Sequence, residues 1–461
     1  MKIARSSWLI AFIMEKTKDF IKKHLNDDVN KLALSKFPEE IDKQFVIRQI
    51  QARQVLSKKL PSWAENDELI FPKKLSLEQC SSELTAKYKA LLLSTNPHEF
   101  PRMISADSCE LVDEKEIRVN PCRSVEKNGI LVDLTGGMGV DTSFLSDNFD
   151  ETYYVEMQEE LCDIARHNFK ILNKNIEVVN DNAEHFLTTC GEVDCIYLDP
   201  ARRDEYGRKM VSLHDCSPDV AELQDFLFEK AKAVMVKLSP MLDIDIIKKE
   251  LKNIKEIHIV AVKNECKEIL VILGQQTTDN GQQSSCNNQL SAIDLRENWI
   301  FNFTEEEENE ATVTFADEIG KYLYEPGVAF MKAGCFKLLS QRFNIDKLHR
   351  NSHLYTSDVL VPDFPGRIFE VINVVPFDKK AKKEITSICQ QTTDNGQQTL
   401  EESSKLTDQS SRLKASVATR NFPLSAEELK KNLGLQDGND FYIFGTTMKG
   451  EKKMLVIGSK C

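Results

Sequence analysis

The chain has 461 residues, too many for one compact core, so two or three domains are expected. Charged residues make up 29% and hydrophobic ones 41%, an ordinary globular composition, and a formal charge of −13 excludes indiscriminate attachment to nucleic acid while leaving room for a local basic face. Twelve cysteines with no C-x-x-C pair exclude a zinc ribbon and a redox dithiol, and fit reduced thiols packed inside a cytoplasmic protein.

Residues 8–14 form an apolar run after Lys2 and Arg5, far below the ~20 residues of a membrane span, and no small-residue cleavage site follows. Neither a membrane segment nor a signal peptide is expected. From about 17 to 60 apolar residues recur at helical spacing, from Phe20, Ile21 and Leu25 to Ile47, Ile50 and Val55. Arg48, Arg53, Lys58 and Lys59 read as its solvated face. Pro61 ends this stretch, and a second helix opens within 71–89, with Ser76 as N-cap and Gln79 three residues on. Residues 94–128 contain several prolines and no sustained period, so they read as an insertion in which Pro121-Cys122 carries no chemistry.

At Gly129 the pattern changes. Residues 130–134 are mostly branched and apolar, then Thr135, Gly136, Gly137 and Gly139 interrupt them before an amphipathic segment: strand, tight glycine turn, helix. Glycines there let backbone N–H groups approach a ligand. The G-x-G-x-x-G spacing of a dinucleotide turn is not met, because Thr142 stands where the last glycine should be. Asp133, just ahead of the turn, would repel a pyrophosphate and welcome a cationic tail.

Strands and helices then alternate: strands at 152–156, 176–179, 193–198 and 233–238, helices at 159–172, 218–230 and 244–251. This calls for an α/β fold of parallel strands with helices on both faces. The last two strands, 257–262 and 269–273, are separated by a segment too short for a helical crossover and must be antiparallel. Four strand ends carry candidate chemistry. Glu156 can accept ribose hydroxyls; Asp181 and Asn182 follow the third strand; Asp199-Pro200-Ala201-Arg202-Arg203 follows the fourth; Lys237 and Ser239 end the fifth. Arg202 and Arg203 either clamp a phosphate or carboxylate or pair with Asp204 or Asp215.

Near-identical polar tracts at 275–283 and 390–398 read as exposed loops. Between them, 305–308 is an acidic turn and 322–339 an apolar helix. His349 and His353 are four apart, yet no glutamate follows the first and Asn351-Ser352 favours a turn, so no metal is expected. From 366 onward a strand, a short basic helix at 379–385, and further strands and a helix make a small α+β unit, locally basic at Lys414, Arg420, Lys430, Lys431 and Lys449. The expected division is 1–93 helical, 94–128 insertion, 129–274 sheet domain, 275–290 loop, 291–365 and 366–461 C-terminal domains, with a disordered insertion at about 387–411.

Asp133-Leu-Thr-Gly-Gly-Met-Gly139 resembles the first motif of class I S-adenosylmethionine-dependent methyltransferases, acid-x-Gly-x-Gly-x-Gly, with Thr135 in place of the first glycine. Together with residues 75–82, 197–203, 349–357 and 420–425, it makes the chain similar to a bacterial group carrying ferredoxin-like and THUMP-like C-terminal domains. The resemblance implies a Rossmann-like seven-stranded sheet ending in an antiparallel hairpin. It implies S-adenosylmethionine held by Asp133, Thr135, Gly136, Gly137, Gly139 and Glu156, with Asn182 or else Asp181 at the adenine. Asp199, Pro200 and Arg202 would serve catalysis and Arg203, Lys237 and Ser239 the substrate. Enzymes that modify nucleic-acid amines have Asp/Asn-Pro-Pro-aromatic where this chain has Asp199-Pro200-Ala201-Arg202, so a stacking platform is missing. Ser239 stands where pyrimidine-carbon enzymes place a cysteine, which favours transfer to nitrogen or oxygen. THUMP domains are associated with RNA, so tRNA or rRNA is the implied substrate. A small anionic molecule or protein substrate, or a non-catalytic RNA-binding scaffold, are the alternatives.

Overall fold

A computed structural model describes residues 15–94, 129–202, 212–274, 289–396 and 414–461. The apolar run at 8–14, Pro121-Cys122 and most of its insertion, Arg203, the first polar tract, and 397–411 lie outside the described residues. The chain divides into two units, one of residues 1–262, 267–288 and 295–298, the other of 263–266, 289–294 and 299–461.

The first unit is built on seven strands: β1 (Ile130–Asp133), β2 (Glu151–Glu156), β3 (Glu177–Asn180), β4 (Val193–Leu198), β5 (Ala231–Leu238), β6 (Ile254–Val262) and β7 (Glu265–Gly274). They lie in the order 3-2-1-4-5-7-6. β1 pairs in parallel with β2 and β4, β2 with β3 and β4 with β5, whereas β7 runs antiparallel to β5. The Rossmann-like sheet with a reversed last strand is therefore present. Its central strands are near-continuously buried, as strands covered on both faces must be.

Ahead of the sheet come α1 (Glu15–Lys23), α2 (Val29–Leu34), α3 (Lys43–Leu56), α4 (Pro61–Ala64), α5 (Lys74–Gln79) and α6 (Glu83–Leu92). Pro61 stands at the first position of α4, where its missing N–H costs nothing. Ser76 does not cap a helix: α5 begins at Lys74 without a side-chain cap, and Ser82 caps α6 by accepting from Thr85 N. Arg53 is also not on a solvated face. It is buried and donates to the carbonyls of Asn66, Asp67 and Leu69 at 3.3, 3.3 and 3.0 Å, because those inward-turned oxygens need a donor. Ala52, Leu56, Trp63, Phe71 and Leu77 share one apolar core with Met138 and Val140 of the glycine turn, so these helices brace the turn directly.

Within the sheet unit α7 (Val140–Leu145), α8 (Glu159–Ile171), α9 (Ala183–Thr189), α10 (Val220–Lys230) and α11 (Ile244–Glu250) alternate with the strands.

The second unit contains the hairpin β8 (Gln289–Asp294) and β9 (Trp299–Thr304) and then α12 (Glu305–Glu310). The acidic run is thus a helix, closed by a capping box between Thr304 and Glu307. The helix expected over 322–339 is instead β10 (Tyr322–Pro326), α13 (Val328–Ala333) and α14 (Phe336–Phe343). Pro326 and Gly327 break it, and Gly334 terminates α13 at φ +79°. The unit continues through β11 (Asp346–Lys347), β12 (Tyr355–Ser357), β13 (Gly366–Pro376), α15 (Ala381–Gly396), β14 (Lys414–Arg420), α16 (Ala426–Leu433), β15 (Gln436–Thr447) and β16 (Lys453–Lys460). α15 extends past the expected Ile385. These seven strands form one sheet in the order β11-β12-β10-β13-β16-β15-β14, and β10 pairs with β13 across the expected boundary at 365. Among the described residues no helix is long and apolar enough to cross a membrane.

Candidate active site

β1 ends at Asp133, and the following turn is pinned from below. Gly136 N donates to Val155 O at 2.9 Å and Tyr154 OH to Gly137 O at 2.6 Å. A Cβ on Gly136 would stand 2.2 Å from the Tyr154 ring, and one on Gly139 2.7 Å from Phe169 Cζ. Gly137 and Gly139 have φ of +54° and +80°. Thus Gly136 and Gly139 are required by the protein's own core, whereas at Gly137 nothing stands nearer a Cβ than Thr135 O at 3.7 Å. Of these three glycines only Gly137 leaves the surface of the turn uncrowded, although its own N–H and C=O are taken by Glu156 and Tyr154. Gly136→Ala should lower stability by ~1–3 kcal/mol through overpacking against Tyr154, read as a reduced urea midpoint.

Asp133 does not stand at the mouth of the turn as a free charge. It is 1% exposed; its Oδ1 accepts from Thr135 N at 2.9 Å and its Oδ2 from Thr142 Oγ1 at 2.5 Å. Burial pushes its carboxyl up to about 7, Asp141 and Asp199 add repulsion, and the Thr142 and Thr135 bonds oppose the rise. A carboxyl so placed shapes the turn from within, at the edge of the cleft. Because its folded pKa lies above the unfolded value of about 3.9, the native state holds the proton more tightly, and stability falls as pH rises from about 4 to about 7. Asp133→Asn should flatten that fall in a melting-temperature profile against pH.

Thr135, which replaces the family's first glycine, has a structural task. Its hydroxyl accepts from Asp199 N at 2.6 Å and lies 3.4 Å from Asp133 Oδ1, so it ties the turn to the end of β4. Glu156 closes β2 with Oε2 accepting from Gly137 N at 3.0 Å and Oε1 from Gln158 N at 2.8 Å. Asn182 caps α9 by accepting from His185 N at 2.7 Å. Asp181 Oδ2 lies 2.6 Å from His185 Nδ1, a bond that lowers its pKa.

At the end of β4, Asp199 Oδ2 is paired with Lys237 Nζ from β5. This pair is the near end of a buried array. Lys237 lies 4.0 Å from Asp141 Oδ2, which accepts from Tyr197 OH and Ser81 Oγ, each at 2.7 Å. Lys89 Nζ, on α6 and 0% exposed, sits 3.2 Å from Asp141 Oδ1 at an angle too poor for a hydrogen bond, and donates to both Glu268 oxygens at 2.8 and 2.9 Å. Burial alone would lower the Lys237 pKa, but Asp199, Asp141 and Glu268 together raise it. Lys237 is therefore a fixed cation beside Asp199. Lys89→Met should cost ~3–5 kcal/mol in chemical denaturation, because Glu268 is left buried without its ion-pair partner and Asp141 loses the nearer of its two lysines.

All these strand ends open on one cleft of about 1070 Å³. It is lined by Asp133, Thr135, Gly136, Gly137, Gly139, Glu156, Asp181, Asn182, Asp199, Pro200, Lys237 and Ser239, so those candidate residues come together. The Arg202 side chain and Arg203 are not among the described side chains. Arg202 is placed by its backbone only, opposite Cys216 in a two-residue ladder. Ser239 Oγ accepts from Met241 N at 3.3 Å.

Missed from the sequence were Leu75, Ser76, Gln79 and Cys80, which line the cleft from the N-terminal region beside Ser81, and the array of Lys89, Asp141, Tyr197 and Glu268. The signal available for the array was a charge on the edge of an apolar run, Lys89 just before 90–93 and Glu268 just before 269–273. His349 and His353 do not converge: His353 stacks on Phe336 with centroids 3.7 Å apart, and His349 Nε2 lies 3.1 Å from Glu451. Among the described residues no group of three His, Cys, Asp or Glu could hold a metal ion.

A ferredoxin-like domain model matches residues 322–365 and a THUMP domain-like model residues 402–460. The chain is similar to the crystal structure of a "putative methyltransferase" from Porphyromonas gingivalis W83, at 31% identity and TM-score 0.73, over 97% of this chain and 98% of that one. A Streptococcus mutans protein solved with SAH and a Streptococcus thermophilus rRNA methylase align over 32% and 33% of this chain and 90% and 91% of theirs, each at 16% identity and TM-score 0.26. No curated protein matches the sequence.

Proposed function

From the membership of this chain in the methyltransferase family of the Porphyromonas gingivalis protein, we propose that it transfers a methyl group from S-adenosylmethionine to a nitrogen or oxygen of RNA, tRNA or rRNA. The observation that carries the reading is one cleft onto which the glycine turn, Glu156 and Asp199-Pro200 all open.

The residues present suit the donor. Gly137 offers a surface without a side chain. Each Glu156 oxygen accepts one backbone N–H and retains a lone pair for a ribose hydroxyl. Asn182, its oxygen spent on capping, keeps its NH₂ group, and Asp181 lies beside it. Bound there, S-adenosylmethionine supplies an electrophilic methyl on a sulfonium.

The protein's own part is positioning. Asp199, with Oδ2 fixed by Lys237 and its N–H fixed by Thr135, uses Oδ1 to accept a hydrogen bond from the substrate N–H or O–H, turning a lone pair toward the methyl. Pro200 stiffens the backbone immediately after it. With serine at 239 no cysteine follows β5 to attack a ring carbon, and burial raises the pKa of Cys80 in the cleft wall and keeps it a thiol; with no aromatic after Pro200 the target is not held by stacking at that point. The THUMP domain-like match at 402–460 supports RNA as the substrate.

Labelled S-adenosylmethionine incubated with total RNA, and in parallel with protein and small-molecule extracts, tests the substrate class. Label should enter RNA. Label confined to either other fraction moves the assignment to that class, and no binding of the donor by calorimetry leaves a non-catalytic scaffold. Asp199→Ala should keep donor binding while transfer falls about 100-fold.

A further inference from the structure

Four exposed lysines, Lys379, Lys380, Lys382 and Lys383, crowd the start of α15. Local structure disfavours them twice. The N-terminal end of a helix carries a partial positive charge, so cations placed there oppose its dipole. Lys383 N donates to Lys380 O at 2.9 Å, which puts these two lysines within one turn, where like charges repel. Asp378 is spent on the backbone rather than on a lysine ammonium: its Oδ1 accepts from Lys380 N at 2.6 Å and Ala381 N at 3.1 Å.

A second helix end joins this cluster. Ala381 and Ile385 of α15 share an apolar core with Leu429 and Leu433 of α16, so the two helices cover the same face of their sheet. At the C-terminal end of α16, Lys382 Nζ lies 3.1 Å from where a Cβ on Gly434 would stand, and Gly434 caps the turn that carries Lys430 and Lys431. Lys430 pairs with Asp437, whereas Lys431 is exposed. Lys379, Lys380, Lys382, Lys383 and Lys431 form no ion pair with any described residue. Exposed lysines elsewhere do, among them Lys16, Lys73, Lys252 and Lys449. In a chain of formal charge −13, uncommitted cations gathered on one face, some of them at a cost to their own helix, are left unexplained by folding.

Lysine is a hydrated point charge on a flexible stem, suited to phosphate oxygens rather than to bidentate reading of base edges. Among the described residues, none of the large exposed apolar side chains lies within 366–461, so the face lacks the apolar anchor that an interfacial membrane helix uses. We propose that Lys379, Lys380, Lys382, Lys383 and Lys431 form a docking surface for the phosphate backbone of a folded RNA, which they grip without regard to sequence. The surface deepens the RNA reading given above and rests on it for the identity of the polyanion.

The test uses the full chain and fluorescence anisotropy with two labelled RNA hairpins of unrelated sequence, over a range of salt concentrations. Cosedimentation with phosphatidylglycerol vesicles covers a membrane as the partner. One variant combines Lys379→Gln, Lys380→Gln, Lys382→Gln and Lys383→Gln. A second combines Lys31→Gln, Lys36→Gln, Lys58→Gln and Lys170→Gln, exposed lysines of the first unit, for an equal loss of charge. Wild type should bind both hairpins alike. The α15 variant should bind about 10-fold more weakly or worse, with the slope of log K against log salt shallower by about 0.9 for each lysine that meets a phosphate, while the second variant stays within about twofold of wild type. The melting temperature of the α15 variant should be no lower than that of wild type, because its helix dipole is relieved, so lost binding is not lost folding. Equal weakening in both variants assigns binding to overall charge, and undiminished binding by the α15 variant puts the RNA elsewhere; either result removes the surface and leaves the methyl-transfer reading standing. If wild type binds neither hairpin, the RNA reading falls together with the surface, and adsorption to vesicles alone overturns the proposal in favour of a membrane.

Discussion

The constraint on which the sheet unit depends is the chain of buried charges from Lys89 through Asp141 and Lys237 to Asp199. Taking such groups out of water costs several kcal/mol each, and apolar residues of similar volume would generally fill the space at no loss of stability. The array is therefore hard to account for as reinforcement. Its position accounts for it better. It ends on Asp199, a carboxylate that lines the cleft beside Pro200, and it fixes that carboxylate from behind. Two lysines serve three carboxylates, so each cation is committed. Lys89 is occupied by Glu268 and Asp141, which leaves Lys237 for Asp199. Asp199 is also held through its backbone by Thr135. A group fixed at both main chain and side chain loses little entropy when substrate arrives, which is the condition for positioning to lower a barrier.

The glycine turn shows the same logic in apolar form. Tyr154 and Phe169 fill the space that side chains at 136 and 139 would need, and Met138 and Val140 are held in the core made by α3 to α6. Asp133 adds hydrogen bonds to Thr135 and Thr142 from inside the bend. The loop is thus rigid because both its polar and its apolar undersides are satisfied, and its outer surface is left for a ligand.

Much of this was legible in the sequence, for reasons that can be named. The alternation of strand and helix signals, and the short connection 263–268, sufficed for a parallel sheet with a reversed last strand, because both depend only on local period and chain length. The candidate residues at strand ends came together because parallel strands put their C-terminal ends on one side. What failed was orientation. Asp133 was read as a charge at the mouth of the turn, yet it is buried and its second oxygen is taken by the Thr142 hydroxyl, nine positions on, a contact that strand and turn signals do not announce. Arg53 looked solvated because the carbonyls it serves lie in a loop more than ten positions away. The expected helix over 322–339 ignored Pro326-Gly327 and Gly334, whose turn chemistry overrode an apolar pattern.

The N-terminal helices belong to the cleft rather than merely preceding it. They contribute Ser81 and Lys89 to the charge array, and Leu75, Gln79 and Cys80 to the cleft wall. Their shared core with Met138 and Val140 means that unfolding them would uncover the turn and strip Asp141 of its cation together. A sheet domain cut at 129 would keep the glycine motif and every candidate donor residue from Asp133 to Asn182. It would nevertheless lose the partner that leaves Lys237 to Asp199, because Asp141 would then compete for that lysine from 4.0 Å away. The unit that carries the cleft is accordingly set by where its charges are neutralised, and that boundary lies upstream of the first motif.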